Sequence, residues 1–168
     1  MNSKRFAIFL AKVVAAQVTT YFLAGLVFYP LLTKPYYVGP NPIFAVFMRT
    51  EMDQGLWPHV VNWFLPAEIL RGTLVALVFY PLCGILESWP FVRRFLYIAS
   101  LYLILGFWGA SVAAPGTIEG MLYLRPFITP EVHLRVQPEM IMQGLGMALF
   151  IAGAMIDSPR KLPDRPAS

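Results

Sequence analysis

Residues Pro66–Leu86 form a run that is long and apolar enough to cross a bilayer as a helix, yet Arg71 stands inside it. At a rise of about 1.5 Å per residue, Arg71 would lie about 7 Å in from Pro66. A cation at that depth is costly unless it faces protein, meets an acid or reaches water, so an arginine there marks a candidate site. The rest of the chain is read as the surroundings of this residue.

The composition fits lipid as the solvent. Of 168 residues, 58% are hydrophobic and 13% charged, well below the charged share of about 25% typical of soluble domains. The length suits one domain, residues 1–168. The formal net charge of +4 does not read as a nucleic-acid footprint. The bases sit at the ends of apolar runs and interleave with no aromatic patch. The single cysteine, Cys83, rules out an internal disulfide and any Cys-x-x-Cys motif. In its apolar run it reads as a small buried hydrophobe.

The fold class expected is all-α: an integral membrane protein with four transmembrane helices in an antiparallel bundle and short extracytoplasmic interfacial helices. The spans are placed at about 6–32, 66–86, 95–114 and 138–156, with long outer connections at 33–65 and 115–137. The first span is read as retained rather than as a cleaved leader, since it outruns a signal's apolar core and Lys12 interrupts it. Asn41-Pro42 reads as a helix entry, giving a short helix over 42–52. Leu56–Phe64, with Trp57 and Trp63, reads as an interfacial piece. Glu87–Arg94 is a short turn that makes spans two and three neighbours. Thr129-Pro130-Glu131 is another helix entry. Gly106, Ala110 and Ala114 in span three, and Gly144, Ala148 and Ala152 in span four, form small-residue stripes for close packing. Leu26–Leu31 recurs as Leu77–Leu82, and reads more simply as two proline-bearing helix ends than as an inverted repeat.

Orientation follows from the distribution of Lys and Arg. Lys4, Arg5, Arg93, Arg94, Arg160, Lys161 and Arg165 crowd one side, so both termini are expected in the cytoplasm of a multi-pass cell-membrane protein. Arg71 then enters from the outer side with both long connections. There it is expected to join a polar cluster of Glu68, Arg71, Glu119, Tyr123, Arg125, His133, Glu139 and Gln143, with His59 and Glu131 nearby. Glu68 and Arg71 can share a helix face. A buried pair with Glu68, Glu119 or Glu139 would pin helices together. Alternatively, the planar guanidinium would take a carboxylate or phosphate in an outward cup.

No metal site is expected. The His and Glu residues match no ligand spacing, and Glu131 and His133 would point about 200° apart on a helix. No catalytic set is selected either: Ser100 and Ser111 lie in span three without a nucleophile elbow. Met140, Met142, Met147 and Met155 form no single stripe and read as packing.

Residues 29–44 include Tyr29-Pro30, Lys34-Pro35 and Pro40-Asn41-Pro42-Ile43-Phe44. They resemble the first loop of the tryptophan-rich sensory and translocator proteins. That family has five spans and the chain here breaks at Arg49–Asp53, so no porphyrin or cholesterol role is transferred. The function expected is that of a non-catalytic subunit or accessory of a membrane complex. The alternatives are a ligand-binding or transport protein with an outward cup at Arg71, and an embedded enzyme using Glu and His at the outer face. The partners expected are the bilayer and a membrane protein or second copy, and not nucleic acid. No cofactor is specified.

Overall fold

A computed structural model describes residues 3–155. The basic tail residues Arg160, Lys161 and Arg165, and the expected end of span four at Ile156, lie outside the described residues. Within them the chain is all-helical, with no strand. Three helical runs are long and apolar enough to cross a membrane: Ser3–Tyr37 (35 residues), Trp57–Leu86 (30 residues) and Phe91–Trp108 (18 residues).

The first run is α1 (Ser3–Phe28), a π turn at Tyr29–Thr33, and α2 (Lys34–Tyr37). Pro30 has no N–H to give to the α ladder, so the winding loosens there rather than stopping. The second run is α3 (Trp57–Phe79), a 3₁₀ turn at Tyr80–Leu82, and α4 (Cys83–Leu86). Thus the two Tyr-Pro-Leu copies change the winding in opposite senses, one looser and one tighter, and are not structurally equivalent.

Several expected boundaries are corrected. The second helix begins at Trp57, not Pro66, and absorbs the stretch read as a separate interfacial piece. The start signal is Asp53, whose Oδ1 accepts from the Gly55 and Leu56 N–H groups at 3.1 Å each, followed by Pro58 in the first turn. Pro66 lies inside the helix, at the cost of one backbone hydrogen bond. The helix expected over 42–52 is only a 3₁₀ turn, Ile43–Val46. The third run ends at Trp108, so Ala110 and Ala114 lie beyond it and Gly106 is exposed. The stripe predicted there does not form a helix contact.

That third run is α5 (Phe91–Ser100) followed by a π segment, Leu101–Trp108. A turn then leads through α6 (Ile118–Tyr123) to α7 (Pro130–Ala154). The α7 helix starts at the expected Thr129-Pro130 entry, with Thr129 as N-cap. It is not among the three runs apolar enough to span. Its first half carries Glu131, His133, Arg135, Gln137, Glu139 and Gln143.

Helix α1 packs on both α3 and α7, and α5 packs on α7. Contacts along α1 ascend as those along α3 descend. Arg5 pairs with Glu87, Phe6 and Phe9 meet Tyr80, Gln17 meets Glu68, and Tyr21 and Phe22 meet Phe64. The main core lies between these helices and includes Phe9, Val13, Ala76, Phe79, Ile98, Met147, Ile151 and Met155. Gly144, Ala148 and Ala152 are buried as a stripe on α7. A Cβ on Gly144 would stand 2.7 Å from Leu103 Cδ2. Cys83 is buried with a free thiol. Met147 and Met155 are core, whereas Met142 is exposed.

A second, smaller core caps the α2 end of the first run. Phe44, Ile128 and Val132 pack with Tyr36, Tyr37, Leu124 and Val136. It brings the two long connections together over the start of α7.

Candidate functional site: a polar cluster around Arg71

The helix geometry sets Arg71 further along its helix than expected. It is about 21 Å along α3 from Trp57 at a rise of about 1.5 Å per residue, near the midpoint of the Trp57–Leu86 run. One turn away, Glu68 is 7% exposed and turns toward α1. There Gln17 Nε2 donates to Glu68 Oε2 at 2.7 Å. The close approach is permitted by Gly72, whose absent Cβ would stand 2.9 Å from Val14 Cα.

The carboxylate expected to pair with Arg71 therefore has another partner. Arg71 is exposed on the surface of the chain and makes no ion pair with any described acid. The helix-pinning pairs of Arg71 with Glu68, Glu119 or Glu139 do not form. A face shared on one helix does not fix a pair. Gln17 from α1 reaches Glu68 across the interface, while Arg71 lies further round the helix.

Around this point the fold gathers polar side chains from four elements. Tyr21 of α1 interacts electrostatically with Glu68, Arg71 and Glu139. Tyr37 of α2 interacts with Glu139. Tyr102, in the first turn of the π segment, interacts with Arg71 and stacks on Phe79 with ring centroids 6.4 Å apart. Gln143, one turn below Glu139 on α7, is buried. Two buried atoms near this cluster have no hydrogen-bond partner, Gln17 Oε1 and Tyr102 OH. Buried polar atoms without a protein partner are uncommon, and ordered water often satisfies them.

Of the eight residues singled out in the sequence, Glu68, Arg71 and Glu139 are those whose charges act on Tyr21, with no hydrogen bond from its hydroxyl to any of them. Glu119 is in the first turn of α6, and Tyr123 and Arg125 are exposed at its far end. No hydrogen bond or ion pair joins the side chains of Glu119, Tyr123 or Arg125 to another described residue. His59 is exposed on α3 beside Trp63, at a ring separation of 6.4 Å.

His133 has a separate role. It is 5% exposed, and its Nδ1 accepts the Gly116 N–H at 2.9 Å. Gln137 Nε2 donates to the Gly116 carbonyl at 2.8 Å, and Trp108 Nε1 donates to Gln137 Oε1 at 2.7 Å. This network fastens the turn after the third run to α7. Glu131 faces away and pairs with Arg135, as its angular separation from His133 requires. Among the described residues no group of three His, Cys, Asp or Glu side chains is placed to hold a metal ion.

Burial holds the His133 imidazole below its ordinary pKa, and the Gly116 N–H requires an unprotonated Nδ1. The unfolded histidine takes up a proton as pH falls through about 6.5, before the folded one does. Stability contributed here is therefore present above that pH and is lost as pH falls below it. Thermal unfolding in mild detergent should show a lower midpoint at about pH 5.5 than at about pH 7.5. The difference should shrink in His133→Asn, which lacks a titrating group; an unchanged difference in that variant would assign the effect elsewhere.

The residues that sequence reading missed are Gln17, Tyr21, Tyr37 and Tyr102. Gln17 had a visible signal, a long amide in the middle of an apolar run. Tyr102 had none, because one tyrosine in an aromatic-rich helix is ordinary. An open groove of about 350 Å³ between α1 and α7 lies outside the cluster and is lined mainly by small and apolar side chains, with Lys12 and Thr19. No family model matches this chain, and no curated protein or solved structure is similar enough to match it.

Proposed function

We propose that this is a multi-pass cell-membrane protein that binds the anionic oxygen group of a ligand at Arg71. In this reading α1, the α3 run, the α5 run and α7 form an antiparallel four-helix bundle with both termini cytoplasmic. The opposed contact order of α1 and α3 supports the arrangement. So does the Arg5–Glu87 pair, which joins the N-terminal end of α1 to the turn before α5. The lower hydropathy of α7 fits a helix whose polar half lines a site rather than facing lipid.

One observation carries the functional reading. Arg71 is exposed and unpaired by any described acid, while the nearest acid on its own helix is bonded to Gln17. A guanidinium in the middle of an apolar run needs a counter-charge. A carboxylate or phosphate matches its planar donors.

The test uses the purified protein in a neutral maltoside detergent. Dodecyl phosphate and dodecanoate should raise the unfolding midpoint of the wild type, since a ligand that binds only the folded state stabilises it. Dodecanol should not. Arg71→Gln should abolish the anion effect while remaining folded, and Arg71→Lys should retain part of it. Equal stabilisation of wild type and Arg71→Gln by both anions would end this reading.

A second reading, a subunit of a membrane complex, draws on a different observation. Arg71 heads an exposed stripe with Leu74, Val78 and Ile85 at helical spacing. A partner helix carrying a carboxylate would cover that stripe and neutralise Arg71. An Arg71-dependent oligomer or co-purifying membrane protein would favour it over the small-ligand reading.

A further inference from the structure

The groove between α1 and α7 opens where two closely packed helices part. At Gly146 the helices are tight: a Cβ there would stand 2.8 Å from Thr20 Cγ2. Gly153 lies two turns further along α7 on the same face, and a Cβ there would meet nothing within 4 Å. The gap that results has a volume of about 350 Å³, within the range of small-ligand sites. On one side are Lys12, Ala15 and Thr19, which share a face of α1 by their spacing; on the other are Phe150, Gly153 and Ala154 of α7.

Polarity runs along this groove in one direction. Lys12, an exposed residue, carries the charge of the lining and stands nearest the N-terminal end of α1. It is about 13.5 Å along the helix from Ser3, with Ala15 and Thr19 about 5 and 10 Å further in. Helix side chains lean toward the N-terminus, and a lysine in lipid runs its apolar stem that way to bring its ammonium up to headgroup level. The groove thus has a cation at its shallow end and apolar walls leading deeper. A phospholipid of the adjoining leaflet has the matching order, phosphate first and acyl chain below.

We propose that the groove holds one anionic phospholipid from the leaflet that meets the N-terminal end of α1. Its phosphate rests against the Lys12 ammonium and one acyl chain lies between α1 and α7. A second copy of the chain docked symmetrically through this groove would instead bring two Lys12 charges into one interface in lipid, which is costly. The site is built on α1 and α7, whereas Arg71 is on α3, so the two readings stand or fall separately.

The test is native mass spectrometry of the whole protein in a neutral detergent, titrated with chain-matched phosphatidylglycerol and phosphatidylcholine. The wild type should bind one phosphatidylglycerol about fivefold or more tightly than phosphatidylcholine, the scale of one lysine facing an anionic headgroup. Lys12→Gln should erase that preference. Gly153→Leu should weaken binding of both lipids, because its side chain fills the groove. It places a better helix former where nothing lies within 4 Å, so the fold is kept. The preference should persist in Arg71→Gln.

Equal binding of the two lipids by the wild type overturns the proposal, and that comparison needs no variant to fold. A preference that survives both Lys12→Gln and Gly153→Leu also overturns it, because the anion is then held elsewhere. So does a preference lost in Arg71→Gln, which assigns the lipid to the Arg71 site. A lipid-free dimer that Gly153→Leu dissociates makes a second copy the occupant and overturns it as well.

Discussion

Gly72→Leu is expected to separate α1 from α3 and leave a protein that does not accumulate in folded form. At Gly72 the two backbones are so close that a Cβ would stand 2.9 Å from Val14 Cα and 3.1 Å from Gln17 Cβ. The Val14 atom is main chain and cannot rotate away. Even Gly72→Ala must push the helices apart, and overpacking of this kind costs about 1–3 kcal/mol. In lipid the loss is not offset by a hydrophobic drive to reassociate, because close van der Waals contact is much of what holds such helices together. Gly25→Ala is the control. It sits on α1 with nothing within 4 Å of the added Cβ, and replacing a helical glycine by alanine gains about 0.5–1 kcal/mol in helix propensity. Thermal unfolding in detergent should place Gly72→Ala below the wild type and Gly25→Ala at or above it. A Gly72→Ala midpoint equal to the wild type would mean that this contact contributes nothing.

The second large effect is expected from the Gln17–Glu68 bond. Gln17→Leu leaves a carboxylate that is 7% exposed without its donor. Conversely, Glu68→Leu leaves a buried amide with both ends unsatisfied. Each single change should cost about 1–3 kcal/mol or more, since a buried polar group loses its partner but remains desolvated. The double variant removes both groups and should be less destabilised than the sum of the singles, with a coupling of about 1–3 kcal/mol. Additivity within about 0.5 kcal/mol would show that the bond carries no net energy in the folded protein.

Much of the architecture was legible in local chemistry. The apolar runs, the small-residue stripe of Gly144, Ala148 and Ala152, the burial of Cys83, and the Thr129-Pro130 entry to α7 all follow from residue type and helical period. These are properties a segment carries wherever it is placed: a run of apolar side chains is driven from water, and a proline tolerates only the first turn of a helix without loss. The errors came where local signals competed. Pro66 reads as a helix start, but Asp53 and Pro58 had already begun the helix, and membrane-type helices absorb an internal proline. The predicted helix over 42–52 gave way to a short turn because Phe44 is drawn into the small core with Ile128 and Val132.

The opening anomaly, Arg71 in an apolar run, was visible in the order of the residues alone. So was the cost of leaving that charge without a counter-charge, because helical rise and solvation energy depend only on sequence distance and charge. Its partner was not visible. Glu68 is three residues away, close enough in the chain to look like the answer, yet it is bonded to Gln17, separated from it by 51 residues. Only the packing of α1 on α3 at Gly72 decides that, because a hydrogen bond is settled by a few tenths of an ångström between surfaces brought together by the whole fold. The same packing buries Gln17 against Glu68 and leaves Arg71 on the exposed surface of α3.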